Sequence, residues 1–336
     1  MSQPPNRDAG HAQGRPASRH KVIYDTDPGV DDAMALVFQA LHPDIELLGL
    51  TSVFGNATIA TTTRNARFLA GRFAPGVPVA EGAAEPLERA APAPLAWIHG
   101  DNGLGNIVLD ATREAPLDAR PAYRFIIDTV RAHPGEVTLI AVGPLTNLAL
   151  ALADDPDIAP LVKQVVVMGG AFGTDGVLGN VTPAAEANIL GDPDAADRVF
   201  GAAWPVTIVG LDVTQRTVMS HDYLASLRQR GGDAARFVWD VSRHYEAFHE
   251  DSAQLAGIYV HDSSAVAYVL APQLYTTRSG PVRVVTQGLA VGQTIQKPAA
   301  MPVPAPDWDS RPPCRVCMGV NAEGMLALYE QTLLLA

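Results

Sequence analysis

Asp25, Asp27, Asp31 and Asp32 crowd into eight consecutive residues, two on each side of Pro28-Gly29. Carboxylates that close repel one another, and out of water they cannot all stay ionised without a counter-charge. A hard cation with oxygen ligands meets that need, and calcium takes roughly six to eight oxygens from carboxylates, carbonyls, hydroxyls or water. One or two aspartates would be accounted for as helix-start residues; four bracketing a tight Pro-Gly turn would not. Other acidic turns fit less well. An EF-hand loop beginning at Asp25 would have Gly29 at its fifth place and Leu36 where it needs a bidentate Glu. A haloacid-type phosphatase turn carries Gly after its second Asp, and here Pro28 follows. With neither a Walker A sequence nor a complete G-x-G-x-x-G, a nucleotide phosphate is not the implied ligand.

The elements that must hold these groups follow an α/β rhythm. Residues 21–24 form a short β-rich run that stops at the acidic turn, and residues 31–41 are helix formers, apolar on several sides. The same alternation recurs: a strand at Ile45–Ser52 ending at Val53-Phe-Gly-Asn56, a helix at 57–71, a strand at 137–142 broken by Gly143-Pro144, a helix at 145–153, and strands at 165–168 and 206–210. Continuous apolar strands are buried on both faces, so the expectation is a mainly parallel central sheet with helices on both faces, Rossmann-like. In such sheets ligands bind beyond the carboxyl ends of the strands. Each polar group singled out here follows a strand or opens a helix, so they can converge.

Bulk properties narrow the partner class. The chain of 336 residues is 47% apolar and carries 24 Lys and Arg against 36 Asp and Glu, a formal charge of −12. That balance argues against nucleic acid, which needs clustered cations, and no apolar run is long enough for a membrane span. Cys314 and Cys317 form a lone C-x-x-C after a Pro-rich segment, without the second ligand pair a zinc site needs, and read as structural. Low cysteine use fits a reducing cytoplasm. Residues 1–20 are polar and lack an apolar signal region; they are expected to be a disordered tail before a single catalytic domain at 21–336. Residues 297–313 read as a long loop within it.

The run from Asp25 to Leu36 resembles the N-terminal signature of the inosine–uridine-preferring nucleoside hydrolase family. Val53-Phe-Gly-Asn56, Ile98-His-Gly-Asp-Asn-Gly-Leu-Gly105, Gly143-Pro-Leu-Thr-Asn147, Val167-Met-Gly-Gly170, Asn180 with Pro183-Ala-Ala-Glu-Ala-Asn188, Asp192-Pro193 and His261-Asp262 resemble its later motifs, in its order. Singly each is weak; together they are specific. The resemblance implies the nucleoside hydrolase fold and hydrolysis of a ribonucleoside to ribose and free base. It implies calcium held by Asp27, Asp32, Asp262 and the Val142 carbonyl, with Asp27 as the base for water and His261 as the acid for the leaving base. It further implies a ribose hydroxyl on Asp31 and a sugar pocket from Asn56, Met168, Asn180, Glu186 and Asn188. A homodimer or homotetramer acting in nucleoside salvage is implied as well.

The chain departs from the family's pattern on the base side. His249 stands where purine-tolerant members tend to carry an aromatic residue, with Tyr245 and Phe248 nearby, and Ala187 replaces a bulkier Phe. His249 and His99 are therefore the candidates for contacting the base, and purine or pyrimidine preference stays open. Two other readings keep the same site: a hydrolase of a related N-riboside such as nicotinamide riboside, or a non-catalytic calcium-dependent nucleoside- or ribose-binding protein. Retention of Asp27, Asp31 and His261 argues against the second, since a binder needs neither base nor acid.

Overall fold

The computed structural model describes residues 19–335. The expected tail lies outside the described residues except for Arg19 and His20, and His20 already opens the first strand. Strands β1 (His20–Thr26), β2 (Ile45–Ser52), β3 (Val79–Ala80), β4 (Val137–Ala141), β5 (Gln164–Met168) and β6 (Val206–Val209) come in the first two thirds of the chain. They are followed by β7 (Val218–Ser220), β8 (Gly257–Tyr259), β9 (Tyr275–Gly280), β10 (Val282–Val284), β11 (Thr294–Gln296) and β12 (Cys314–Val320). Eight of them make one sheet in the order β3-β2-β1-β4-β5-β6-β12-β9. Seven are mutually parallel, and the edge strand β9 runs antiparallel to β12.

The alternation of side chains along each strand splits the interior into two layers. Val22 and Tyr24 of β1 and Val166 and Met168 of β5 face one core, covered by the helices Val30–Leu41, Ile59–Phe73, Asp233–Ala253, Asp262–Leu270 and Ala322–Leu334. Ile23, Val165 and Val167 face the other, covered by Ala122–Ala132, Thr146–Asp154 and Pro193–Phe200. Helices on both faces of a mainly parallel sheet are what the apolar runs predict. Cys314 and Cys317 are buried on β12, one in each core, so the sheet lies between them. Their spacing is that of a structural strand, and they cannot bridge or share a metal.

Two expectations are refined. β1 runs past residue 24 and takes Asp25 into the ladder, paired with Thr51 of β2 and Ala141 of β4, which removes it from the turn. The Pro-rich stretch 297–313 contains the short helix Pro306–Asp309, tied by the Trp308 indole N–H to the Ile295 carbonyl at 3.1 Å. No described helix is long and apolar enough to cross a membrane.

Helix Ala122–Ala132 lies close on β2 because Gly49 has no side chain: a Cβ there would sit 2.3 Å from the Phe125 ring. Gly49→Ala is therefore expected to destabilise the protein by about 1–3 kcal/mol through overpacking. Phe125→Leu, costly alone, should be less costly in the Gly49→Ala background. Urea unfolding of the two single variants and the double variant measures this, and strict additivity would refute the contact.

Candidate active site

Beyond the carboxyl ends of β1, β2, β4, β5 and β6 lies a cavity of about 430 Å3. Of the residues expected at the site, Asp31, Asn56, His99, Val142, Met168, Asn180, Glu186, Asn188, His249, His261 and Asp262 line it. Asp27 and Asp32 are not on its wall; each is 1% exposed and buried in its floor. Among the described residues, no Lys or Arg lines the cavity.

Carboxylate oxygens of Asp31, Asp32 and Asp262 come within 4.8 Å of one another. Asp31 and Asp32 open the helix Val30–Leu41, Asp262 opens Asp262–Leu270, and these two helices pack side by side. Both helix N-termini thus aim partial positive charge at the cluster. Asp32 is held rigidly: Thr26 Oγ1 donates to Oδ1 at 2.5 Å, while Gly29 N and Asn56 Nδ2 donate to Oδ2 at 2.9 and 3.0 Å. Asp27 accepts the Asn56 backbone N–H on Oδ2 at 2.7 Å, and its Oδ1 is buried without a partner. Asp31 has Tyr245 Oη at 3.5 Å from Oδ2, and its Oδ1 is likewise unpartnered.

Burial pushes Asp27, Asp31, Asp32 and Asp262 above the ordinary carboxylate range, and mutual repulsion raises Asp27, Asp31 and Asp262 further. Orphaned buried oxygens, like charges converging and an all-oxygen donor set are what a hard-cation site presents before its ion is counted. The residues fit such an ion. Gly55 and Gly143 make room for Asp27, since a Cβ at either would fall 2.0 and 2.6 Å from its carboxylate oxygens.

Asp25 corrects the four-aspartate reading. Its Oδ1 accepts from Thr51 Oγ1 at 2.5 Å and Asn147 Nδ2 at 2.8 Å, behind the cavity rather than in it. Burial raises it to about 7, against the pull of those two hydrogen bonds. The cluster is completed instead by Asp262, distant in sequence.

The sugar-side residues meet at the short helix Ala187–Gly191. Glu186 caps it, accepting Asn188 N, Ile189 N and Gly170 N. Asn188 Nδ2 donates to the Val142 carbonyl at 2.8 Å and to the Met168 carbonyl at 3.2 Å. Asn180 sits on the exposed rim, its Oδ1 accepting Ala187 N.

Three histidines face the same space. His99 accepts the Val30 N–H on Nδ1 at 3.2 Å, so it caps a helix while its ring stacks on Tyr245 at 5.4 Å. The cap and the cavity contact are one arrangement. His249 Nδ1 donates to the Tyr245 carbonyl at 2.8 Å, which leaves Nε2 as its acceptor. His261 Nδ1 lies 2.8 Å from Thr214 Oγ1. Burial, then the neighbouring histidines, pushes His99 and His261 down to about 3. Beyond the expected set, Trp97, Gln215, Ser252 and Tyr259 line the cavity. Residues 245, 248, 249 and 252 follow helical i, i+3, i+4, i+7 spacing, a stripe visible in the sequence. Trp97, 64% exposed, meets Phe248 edge-on at 5.1 Å and gave no such signal.

Residues 22–327 match the family described as inosine-uridine preferring nucleoside hydrolase. The uridine nucleosidase 1 of Arabidopsis thaliana is 40% identical over 332 residues, covering 98% of each chain. The inosine-uridine preferring nucleoside hydrolase of Crithidia fasciculata is 40% identical over 278 residues, 82% of this chain and 87% of that protein. Among solved structures, a purine-preferring ribonucleoside hydrolase from Gardnerella vaginalis superposes with a TM-score of 0.85 at 32% identity, covering 94% of this chain and 100% of the other.

A divalent cation that binds only the folded site should stabilise it, by about 2.7 kcal/mol at a hundredfold excess over its Kd. Calcium is therefore expected to raise the melting temperature, and a chelator to lower it. Asp262→Asn removes one of the crowded carboxylates, so it should raise the melting temperature of the metal-free protein and abolish the calcium response. Thermal unfolding with and without calcium tests both; a variant that keeps the full response would take Asp262 out of the site.

Proposed function

The chain belongs to the inosine-uridine preferring nucleoside hydrolase family and hydrolyses the N-glycosidic bond of ribonucleosides; we propose that Asp27 serves as base and His261 as acid beside a calcium ion. Asp27, Asp32, Asp262 and the Val142 carbonyl would hold that ion. The observation that carries this reading is the convergence of Asp31, Asp32 and Asp262 within 4.8 Å, with Asn56 tying Asp32 to Asp27, whose Oδ1 is buried without a partner. When bound, the ion would offset the crowded negative charge, polarise a water and anchor the ribose hydroxyls.

The chain's own residues do the rest. Asp27 Oδ1, buried without a donor, would take a proton from the attacking water. Asp31 Oδ1 would accept a ribose hydroxyl, satisfying a buried oxygen that otherwise has no partner. Asn56, Met168, Asn180, Glu186 and Asn188 would frame the sugar. Bond breaking develops positive charge at C1′, as in other glycoside hydrolyses. A cavity lined by Asp31, Glu186 and Asp262 and, among the described residues, by no Lys or Arg would lower the energy of that charge. Burial pushes the His261 imidazole well below its ordinary range; as negative charge gathers on the departing base, the ring would take up a proton from solvent and pass it to that base, while the proton that the water loses to Asp27 returns to solvent after the products leave.

The single eight-stranded sheet supports reading residues 21–336 as one catalytic domain. The family resemblance supports a homodimer or homotetramer working in nucleoside salvage; low cysteine use, the acidic charge and the lack of a long apolar run support a cytoplasmic protein without nucleic acid or membrane partners.

Ribose release from inosine, adenosine, uridine, cytidine and nicotinamide riboside, with and without chelator, is the direct test. Asp27→Asn is expected to lower kcat on every substrate by about 10²–10⁴-fold. His261→Ala should lower kcat for inosine and uridine by at least about 10²-fold, yet spare nicotinamide riboside, whose cationic base leaves without a proton. Equal loss on both kinds of substrate would remove His261 as the acid.

His249 is the base contact that the geometry favours, because its Nε2 is an acceptor on the cavity wall. His249→Ala is expected to change the purine-to-pyrimidine ratio of kcat/KM by about tenfold, one hydrogen bond's worth. An unchanged ratio would exclude His249 from base recognition.

A further inference from the structure

The segment Gly143-Pro-Leu-Thr-Asn147 has no part in the chemistry above, yet every residue of it is fitted to a neighbour. Gly143 lies against Asp27, and Pro144 lies between Gly55 and Gly191. Leu145 is buried in the second core. Thr146 Oγ1 donates to Asp192 Oδ2 at 2.8 Å. Asn147 Nδ2 donates to Asp25 Oδ1 at 2.8 Å and to the Ser52 carbonyl at 2.9 Å, while its Oδ1 accepts Ala83 N at 2.9 Å. Thr146, Asn147, Asp25 and Asp192 are each at most 1% exposed, so solvent cannot replace these bonds.

The two side chains reach opposite halves of the site. Asn147 grips the carboxyl ends of β1 and β2, which lead directly into Asp27 and into Asn56. Thr146 grips Asp192, which ends the five-residue helix carrying Asn188 and caps the next helix by accepting Ala195 N at 3.0 Å. Asp192 Oδ2 also accepts Leu87 N at 2.9 Å. At its other end that short helix is held by Glu186 on Gly170 N, by Asn180 Oδ1 on Ala187 N, and by Asn188 Nδ2 on the Val142 and Met168 carbonyls. Between the two grips stands Val142, whose N–H donates to the Asp25 carbonyl and whose own carbonyl accepts Asn188 Nδ2.

We propose that Thr146 and Asn147 are positioning residues for the hydrolysis: together they hold the Val142 carbonyl, the Asp27–Asn56 pair and Asn188 in one fixed arrangement, coupling the metal half of the site to the ribose half. The proposal rests on the reading of Val142 as a metal ligand and Asn188 as a sugar contact. Loss of the Thr146 hydroxyl lets Asn188 drift from the sugar and from Val142; loss of Asn147 lets the strand ends that carry Asp27 and Asn56 move apart.

The test compares Thr146→Val, which keeps shape and removes the hydroxyl, with Thr146→Ser, which keeps the hydroxyl. Asn147→Ala is the second arm. KM and kcat are measured on the best nucleoside, and calcium half-saturation is read from thermal shift, independently of turnover. One buried hydrogen bond is worth about a tenfold change in an equilibrium constant. Thr146→Val is expected to raise KM about tenfold with kcat within about threefold of wild type, and Thr146→Ser to stay near wild type. Asn147→Ala should raise the calcium concentration for half-saturation about tenfold. Wild-type KM and calcium half-saturation in folded Thr146→Val and Asn147→Ala would overturn the proposal. So would a loss equal in the Val and Ser variants, which would mark a packing role; if Thr146→Val does not fold, Asn147→Ala decides alone. A wild-type protein that hydrolyses nucleosides but ignores calcium would instead sink the metal reading, and this proposal with it.

Discussion

Repulsion among buried carboxylates is the force around which this protein is arranged. Asp27, Asp31, Asp32 and Asp262 lie in one small volume, and burial alone penalises their ionised forms. The fold holds them there with local donors: the Thr26 hydroxyl, the Gly29 and Asn56 amides and two helix N-termini. None of these donors is a full positive charge, so the cluster stays short of one. Two carboxylate oxygens of the cluster, Asp27 Oδ1 and Asp31 Oδ1, are left buried without a partner.

The sheet makes that crowding possible. Parallel strands put all their carboxyl ends on one edge, and adjacent strands are only about 4.8 Å apart. β1 and β4 are neighbours, so Asp27 and the Val142 carbonyl follow from adjacent strand ends. β5 brings Met168, and the loop after it brings Asn180, Glu186 and Asn188. Asp262 comes from the far side of the chain at the start of its own helix, which packs on the helix that Asp31 and Asp32 open. Gly55 and Gly143 matter for the same reason: they let two loops close around Asp27 to distances that no side chain allows.

Most of this was legible from the residues alone. Apolar runs ending in polar turns identified the buried parallel strands, and the acidic turn pointed to a cluster of carboxylates that could hold a metal. What misled was counting acids along the sequence. Asp25 is two residues from Asp27, but β1 continues through it, and pairing on both sides turns its carboxylate to Thr51 and Asn147. Strand length decided that, and length depends on partners that a local window cannot see. The antiparallel edge strand β9 escaped for the same reason. Trp97 escaped because an exposed aromatic in a short loop helix has no periodicity to betray it. Gly143–Asn147 was legible as a motif but not as a clamp, since its partners, Asp25, Ser52, Ala83 and Asp192, are scattered over the chain.

The sugar and base halves of the cavity have different origins, and that bears on why relatives with similar sequences carry different base preferences in their names. The ion and sugar side is built mostly from strand ends and the loops just after them, cross-tied by Asn56, Asn188 and Asn147; changing one residue there disturbs several others. The side proposed for the base is built from one face of the helix Asp233–Ala253, with Trp97 packed against its Phe248. Tyr245, Phe248, His249 and Ser252 project from one face of that helix, and His249 and Ser252 bond only to carbonyls of the helix itself. Such a face can exchange an aromatic ring for His249 without moving Asp27 or Asp262. On the proposed reading, chemistry at C1′ would be fixed by the sheet, while the identity of the leaving base would be left to a single helix.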